Sequence, residues 1–377
     1  MASATVSDAS VSNGEDPKSR QYAALKRRMA LVSMGLDVAY LWRALASGAA
    51  QAWAARLSGW SPWWWQTAIY VAGLAAPWTV VLVPLDWYRG FRLEHQFGLS
   101  RQSWRAWTWR WLKAEFLGGL MLAGMAILLM GTLRASPIRW WAWASAAWTL
   151  WAVILTQWMP VVLVPIFYRQ RPVTDPTLTA RLQQLAARCG APVRGVFEID
   201  FSRETAKANA CLCGLGTTRR ILVTDTMTRD YTPEEIEAVL AHELGHHRLH
   251  HLPRLFGIGA ISVVACCGIV AQLLPGMSAA FRVVGPRSLA TLPVIGLALS
   301  LLQIALIPVH NGLSRGFERA ADRFALELTR APEAFIAAMR RLQRQNLAEA
   351  MPSRWVEWFW YDHPPIAKRI AMAEAYR

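Results

Sequence analysis

Charged side chains are scarce in this chain: Asp, Glu, Lys and Arg make up 17% of its 377 residues, whereas apolar residues make up 54%. That balance excludes an ordinary soluble domain, in which about 25% of residues are charged, and it excludes a disordered chain. Acidic residues are the scarcer of the charged types, 25 against 40 basic, which leaves a net charge of +15. No RNA- or DNA-binding motif accompanies the excess of base, so no nucleic-acid partner is expected. The basic residues read instead as loops facing anionic lipid headgroups. Cysteines number only five, and Cys189, Cys211, Cys213, Cys266 and Cys267 form no paired extracellular framework. Cys211 and Cys213 have no second Cys or His pair at zinc-ribbon spacing, so they read as free thiols. The N-terminus lacks the apolar core of a cleaved signal, and residues 1–28 read as a disordered tail. No internal repeat is apparent.

Long charge-free runs dominate the rest. They lie between Arg56 and Asp86, Glu115 and Arg134, Arg139 and Arg169, Arg254 and Arg282, and Arg287 and Arg315, and each can supply the ~20 apolar residues of a bilayer span. A sixth run, from about Met29 to Ala55, is interrupted by Asp37 and Arg43. Lys18, Arg20, Lys26, Arg27 and Arg28 precede the first span, and the 87–113 loop, residues 169–254 and the tail after 314 are rich in arginine. The positive-inside rule then places both termini and residues 169–254 in the cytoplasm. The heavy Arg and Ala bias is that of a GC-rich bacterial chain, which makes the expected location a multi-pass inner (plasma) membrane. The expected divisions are a tail (1–28), an N-terminal membrane domain (29–168) and a C-terminal domain (169–377) with two further spans at about 255–274 and 290–310.

Within the cytoplasmic segment, Pro176–Cys189 has helical periodicity, Gly195–Ile199 and Arg220–Thr224 look like short buried strands, and Gly214–Thr218 supplies a turn. Thr232-Pro233-Glu234-Glu235 then starts a helix with a capping box. That helix carries His242-Glu243-Leu244-Gly245-His246. Two histidines four residues apart point the same way and can grip one zinc ion, with the intervening glutamate beside the water the ion activates. A third donor must come from elsewhere. Glu318 is the best candidate, and Asp322, one turn further along the same helix, can accept the ring N–H of a ligating histidine.

The stretch Asn311-Gly312-Leu313-Ser314-Arg315-Gly316-Phe317-Glu318-Arg319-Ala320-Ala321-Asp322 resembles the third-ligand helix of the M48 zinc metallopeptidases, and the likeness is greatest to the Ste24-type CAAX prenyl proteases. Leu93-Glu94-His95-Gln96-Phe97-Gly98-Leu99-Ser100-Arg101-Gln102-Ser103 is similar to that family's membrane-domain signature, and Val164-Pro165-Ile166-Phe167 to the exit of its fourth span. Ala208-Asn209-Ala210 and Arg220–Thr226 are similar to its strand region. Asp362-His363-Pro364-Pro365 with Arg369 resembles its C-terminal element.

The resemblance implies a mainly α, polytopic membrane protein in which a chamber of transmembrane helices adjoins a small α/β catalytic segment of gluzincin type. It implies one zinc ion per chain on His242, His246 and Glu318, with Glu243 as general base. Asn209 would lie on the edge strand that aligns a peptide, and His363 and Arg369 would stabilise the oxyanion. The expected partners are the lipid bilayer and a peptide or protein substrate that is membrane-associated or lipidated. Two other readings stand beside this one: an HtpX-like protease of membrane-protein quality control, and a catalytically silent membrane scaffold.

Overall fold

The computed structural model describes residues 16–158, 162, 164–214 and 219–376. Helix α1 (Pro17–Ala46) opens the fold. The Asp16 side chain caps it by accepting from Lys18 N, and Pro17 occupies the first turn, where its missing N–H costs nothing. The helix therefore takes in residues 17–28, which the sequence reading assigned to the tail. The cap and a run of Arg, Lys, Ala and Leu favour helix there, and Tyr22 is buried against Phe97. The expected disorder of residues 1–15 falls outside the described residues.

After α1 come the short α2 (Ala49–Arg56) and then α3 (Trp63–Trp87), which runs through a π-helical turn at Tyr88–Arg92 into α4 (Leu93–Gln96). They are followed by α5 (Trp104–Ala135), α6 (Trp140–Trp158) and α7 (Val164–Phe167). Among the described residues, five helices are long and apolar enough to cross a membrane: Pro17–Ala46, Trp63–Gln96, Trp104–Ala135, His251–Ala280 and Thr291–Thr329. This set departs from expectation in two places. The interrupted first run qualifies, although its helix begins and ends about ten residues earlier than expected. The run after Arg139 does not qualify, because α6 carries six tryptophans in 19 residues, and the indole N–H makes tryptophan only weakly hydropathic. Helix α6 nevertheless packs between α5 and the later span His251–Ala280. Leu45, Tyr70, Met130, Leu133, Trp140 and Val294 form the core of this bundle. Beside it lies an apolar cavity of about 450 Å³, lined by Tyr40, Tyr70, Trp78, Met125 and Trp148 among others.

The catalytic segment is a four-stranded sheet against helices. Strands β1 (Gln170–Pro172), β2 (Val196–Ile199), β3 (Ala210–Cys213) and β4 (Arg220–Thr224) take the order β1-β2-β4-β3, and β2 and β4 are parallel. The two inner strands are those expected from sequence. The outer strands β1 and β3 escape because they are short and poor in β-branched residues; of the expected turn, residues 215–218 lie outside the described residues. Helix α8 (Pro176–Arg188) covers the sheet, and α9 (Asp225–Asp230) leads into α10 (Pro233–Arg248). On α10 the capping box is present: the Thr232 hydroxyl accepts from Glu235 N and the Glu235 carboxylate accepts from Thr232 N.

Helix α11 (His251–Ala280) returns through the bundle, followed by α12 (Thr291–Thr329), α13 (Pro332–Asn346), α14 (Arg354–Trp360) and α15 (Ile366–Glu374). The expected last span, at about 290–310, and the helix bearing Glu318 are one helix of 39 residues. Helices α10 and α12 cross at Gly245, where a Cβ would stand 3.1 Å from Ala321 Cα and 3.2 Å from Ala321 O. Backbone lies opposite, so no side chain can swing away. Gly245→Ala is expected to force the helices apart and destabilise the protein by about 1–3 kcal/mol, the usual cost of overpacking. Thermal unfolding in detergent checks this, and an unchanged Tm would contradict it.

Candidate metal centre and active site

Helix α10 aims His242 and His246 toward α12, and α12 brings Glu318 to meet them. The three ligating atoms lie within 4.8 Å of one another. Glu318 Oε2 is 3.2 Å from His242 Nε2, Glu318 Oε1 is 3.2 Å from His246 Nε2, and the two Nε2 atoms are 3.1 Å apart. His242 Nδ1 lies 2.8 Å from Asp322 Oδ1. A carboxylate can only accept there, so Nδ1 carries the proton and Nε2 turns its lone pair toward the other ligands. Glu318 Oε2 is buried without a hydrogen bond of proper geometry. Two imidazoles and one carboxylate with converging lone pairs suit a divalent cation, and this donor set suits zinc with one position left open.

The surroundings fix these ligands. Asp322 is fully buried; its Oδ2 accepts from Arg369 Nε at 2.8 Å and its Oδ1 from Arg369 Nη2 at 2.5 Å. The chain Arg369–Asp322–His242 thus orients the ring and raises its basicity. His246 finds its partner in His251, whose Nδ1 is 2.9 Å from His246 Nδ1. His250 adopts the left-handed conformation at φ 55°, which lets α11 turn away from α10 and sets His251 beneath His246. Burial opposes protonation of His242, yet the Asp322 and Glu318 carboxylates outweigh it and push the ring up to about 9. A metal ion needs the unprotonated ring and competes with that proton. Burial pushes the Glu243 carboxyl up, which makes it a better proton acceptor than an exposed carboxylate.

A cleft of about 510 Å³ runs past these groups, lined by Asn209, His242, Glu243, Tyr361 and His363 among others. Its wall is the outer edge of the sheet. Among the described residues, strand β3 pairs with β4 on one side only, and Asn209 stands exposed just before it, joined to Thr224 through N–H to hydroxyl at 3.0 Å and carbonyl to N–H at 3.0 Å. His363 is half exposed over the cleft with Nε2 3.3 Å from Glu318 Oε2. A hydrogen bond to Asp362 raises its pKa. Arg369 differs from His363 in placement: it is buried, and its Nε and Nη2 are spent on Asp322 behind His242. Cys211 and Cys213 are free thiols outside the ligand set.

The sequence reading missed His251, for which spacing alone gave no sign, because the left-handed turn that redirects it is invisible in the pattern. It also missed the join between the two domains. Lys207 Nζ donates to Glu94 Oε2 at 2.8 Å and to Tyr22 Oη at 3.0 Å. Ala206 N donates to Leu99 O at 2.9 Å, and Arg101 N to Glu204 O at 3.0 Å. The Leu93–Ser103 stretch is therefore a clamp on the segment that leads into β3.

Comparison with known proteins agrees with this geometry. The model of peptidase family M48 matches residues 172–377. The chain belongs to that family. A second model, described as the CAAX prenyl protease N-terminal region with five membrane helices, matches residues 6–169. The chain is 25% identical over 361 residues to "Uncharacterized metalloprotease YhfN" of Bacillus subtilis (strain 168), covering 94% of this chain and 84% of that protein. It is 29% identical over 325 residues to "CAAX prenyl protease 1 homolog" of Oryza sativa subsp. japonica, covering 82% and 73%. The crystal structure of S. mikatae Ste24p superposes with a TM-score of 0.84 at 22% identity, over 95% of this chain and 88% of that one, which fixes the fold. The protein is an integral-membrane metalloendopeptidase of family M48, similar to the CAAX prenyl proteases.

Replacing Glu318 by Ala removes one of the three donors, and a purified Glu318→Ala protein is expected to lose its zinc while the bundle remains folded. Asp322→Asn keeps the three donors but weakens the hydrogen bond that orients His242, so zinc affinity should fall about 10- to 100-fold. Metal content by mass spectrometry after dialysis against a graded chelator reads both, and wild-type retention in either variant would contradict the assignment.

Proposed function

We propose that this protein is a zinc endopeptidase that cleaves peptide bonds of membrane-associated or lipidated substrates at a site on the cytoplasmic face of the inner membrane. The observation that carries the proposal is the convergence of His242, His246 and Glu318 in a cleft that contains Glu243 and is bordered by the outermost strand of the sheet, unpaired on its far side among the described residues. Bound by those three residues, one zinc ion would supply Lewis acidity, polarising the scissile carbonyl and acidifying water.

The chain's own residues do the rest. An extended peptide adds to the outer edge of β3, where outward-facing backbone groups hold it by main-chain hydrogen bonds, and Asn209, whose own N–H and carbonyl pair with Thr224, lines the cleft beside it. Glu243 takes a proton from the attacking water and passes it to the leaving nitrogen. His363, half exposed and next to Glu318, donates toward the carbonyl oxygen as it gains charge. Arg369 supports that role indirectly: its charge stands behind Asp322 and His242, where it positions the ligand. The basic segment from Lys18 to Arg28, the arginine-rich residues 87–113 and residues 169–254 support cytoplasmic placement of the site and both termini.

Glu243→Gln should keep the metal, because the residue is not a ligand, and lower kcat by about 10²- to 10⁴-fold, because an amide cannot take the proton. Metal analysis and peptide hydrolysis on one preparation check both halves; activity close to wild type would remove Glu243 from its role.

Substrate class is tested by one peptide sequence with and without a prenyl or acyl chain, assayed in proteoliposomes. Each buried methylene adds about 0.8 kcal/mol of membrane partitioning, so the lipidated peptide should show the lower apparent KM without a necessary gain in kcat. Equal KM values would mean that the lipid is not read and would favour a quality-control protease.

A further inference from the structure

The segment between α13 and the His363 loop belongs neither to the ligand set nor to any span, yet it is unusually aromatic. Helix α14 reads Arg-Trp-Val-Glu-Trp-Phe-Trp. Trp355 is 78% exposed and Trp358 48%, and their rings pack edge to face with centroids 5.9 Å apart. Met351, just upstream, is exposed as well. Residues three apart on a helix share a face, so α14 presents one apolar face that no described residue covers. Such a patch marks an interaction surface.

The depth of α14 identifies the partner. Asn311 Nδ2 donates to Phe359 O at 2.6 Å, and Arg315 Nη1 donates to Glu357 O at 2.9 Å and to Tyr361 O. These two side chains stand just beyond the apolar stretch of α12. The rise from Thr291 to Asn311 is about 30 Å at 1.5 Å per residue, which equals the hydrocarbon thickness of a bilayer. On the flank of α12, Val309 and Leu313 are exposed apolar residues. Helix α14 is therefore tied to α12 at the level where hydrocarbon gives way to headgroups. Exposed tryptophans also flank the helices on this side: Trp109 ahead of the charge-free run of α5, and Trp158 at the end of α6. The start of α5 is on the catalytic side because the loop before it pairs with residues 204–206. Tryptophans at the ends of spans are the mark of the membrane–water interface.

Charge agrees with this placement. Arg354 on α14, beside Trp355, is exposed and free to reach lipid phosphates. The single acid of α14, Glu357, is neutralised by Lys368 at 2.6 Å.

We propose that α14 is an interfacial anchor, with Trp355 and Trp358 seated in the headgroup layer of the protein's own bilayer and phospholipid as their partner. The chain runs directly from α14 through Tyr361 to His363, so the bilayer surface borders the mouth of the active-site cleft, and a substrate leaving the membrane plane meets His363 without crossing open water.

The test places the photo-crosslinking residue p-benzoylphenylalanine at position 355 of the full chain, reconstituted in vesicles of phosphatidylcholine and phosphatidylglycerol. Mass spectrometry then counts phospholipid adducts. Arg340, exposed on α13 away from the spans, is the aqueous control, and Leu120, exposed within the charge-free run of α5, verifies insertion. Position 355 should give adducts well above position 340. If position 120 reacts with lipid while 355 matches 340, or if 355 reacts only with a protein chain, the anchor is refuted. No peptidase activity is needed, so this outcome is independent of the proposed function.

Discussion

The buried chain Arg369–Asp322–His242 is the interaction on which the rest of the structure depends. It ties together three elements that are far apart in sequence: α15 supplies the guanidinium, α12 the carboxylate and α10 the imidazole. Buried ions are costly to desolvate, and removing one partner leaves the others uncompensated, at about 3–5 kcal/mol. The three groups are therefore held in one register, and that register sets the direction of the His242 lone pair. Glu318, one turn before Asp322 on the same helix, is positioned by the same constraint. The close approach at Gly245 serves it too, because a wider crossing would take the carboxylate out of reach of the ring.

Much of this was legible in the sequence for reasons that can be named. The ligands sit at helical spacing on two helices, and helical spacing survives translation from sequence to space. The capping box that starts α10 is local chemistry, read from four residues. The inner strands carry β-branched residues, and β4 is buried along most of its length, so they stand out, whereas β3, the strand nearest the chemistry, is Ala-Cys-Leu-Cys and reads as nothing in particular. His251 was hidden by a single left-handed residue. The difference between His363 and Arg369 was hidden as well: both lie in one C-terminal element and both line the cleft, but the packing of α15 on α12 leaves His363 half exposed and spends the buried Arg369 on Asp322. In the membrane region, four charge-free runs coincide with helices long and apolar enough to cross a membrane, whereas the run after Arg139 became the tryptophan-rich α6, which does not meet that measure.

The two domains are less separate than their composition implies. The Leu93–Ser103 loop pairs through its backbone with residues 204–206, and Glu94 holds both Lys207 and Tyr22. Helix α1 joins the same knot from the N-terminal side, and Arg27 reaches Glu349 near the cleft at 2.5 Å. The edge strand is consequently braced by the membrane domain at one end and by β4 along its inner side. An edge that must accept a passing backbone without rearranging needs this kind of bracing, since any slack would be taken out of the binding energy.

The unbroken helix α12 turns a membrane span into a lever arm. Glu318 stands about 40 Å from the far end of that helix at 1.5 Å per residue. Rotating the rod by about 3° would swing the carboxylate by about 2 Å, whereas metal–ligand distances hold to about 0.2 Å. The packing of α12 on α1, α11 and α10 must therefore supply angular stiffness as well as stability. Spans tilt when bilayer thickness changes, so the neighbours of α12 are what isolate the metal centre from the mechanics of the lipid around it.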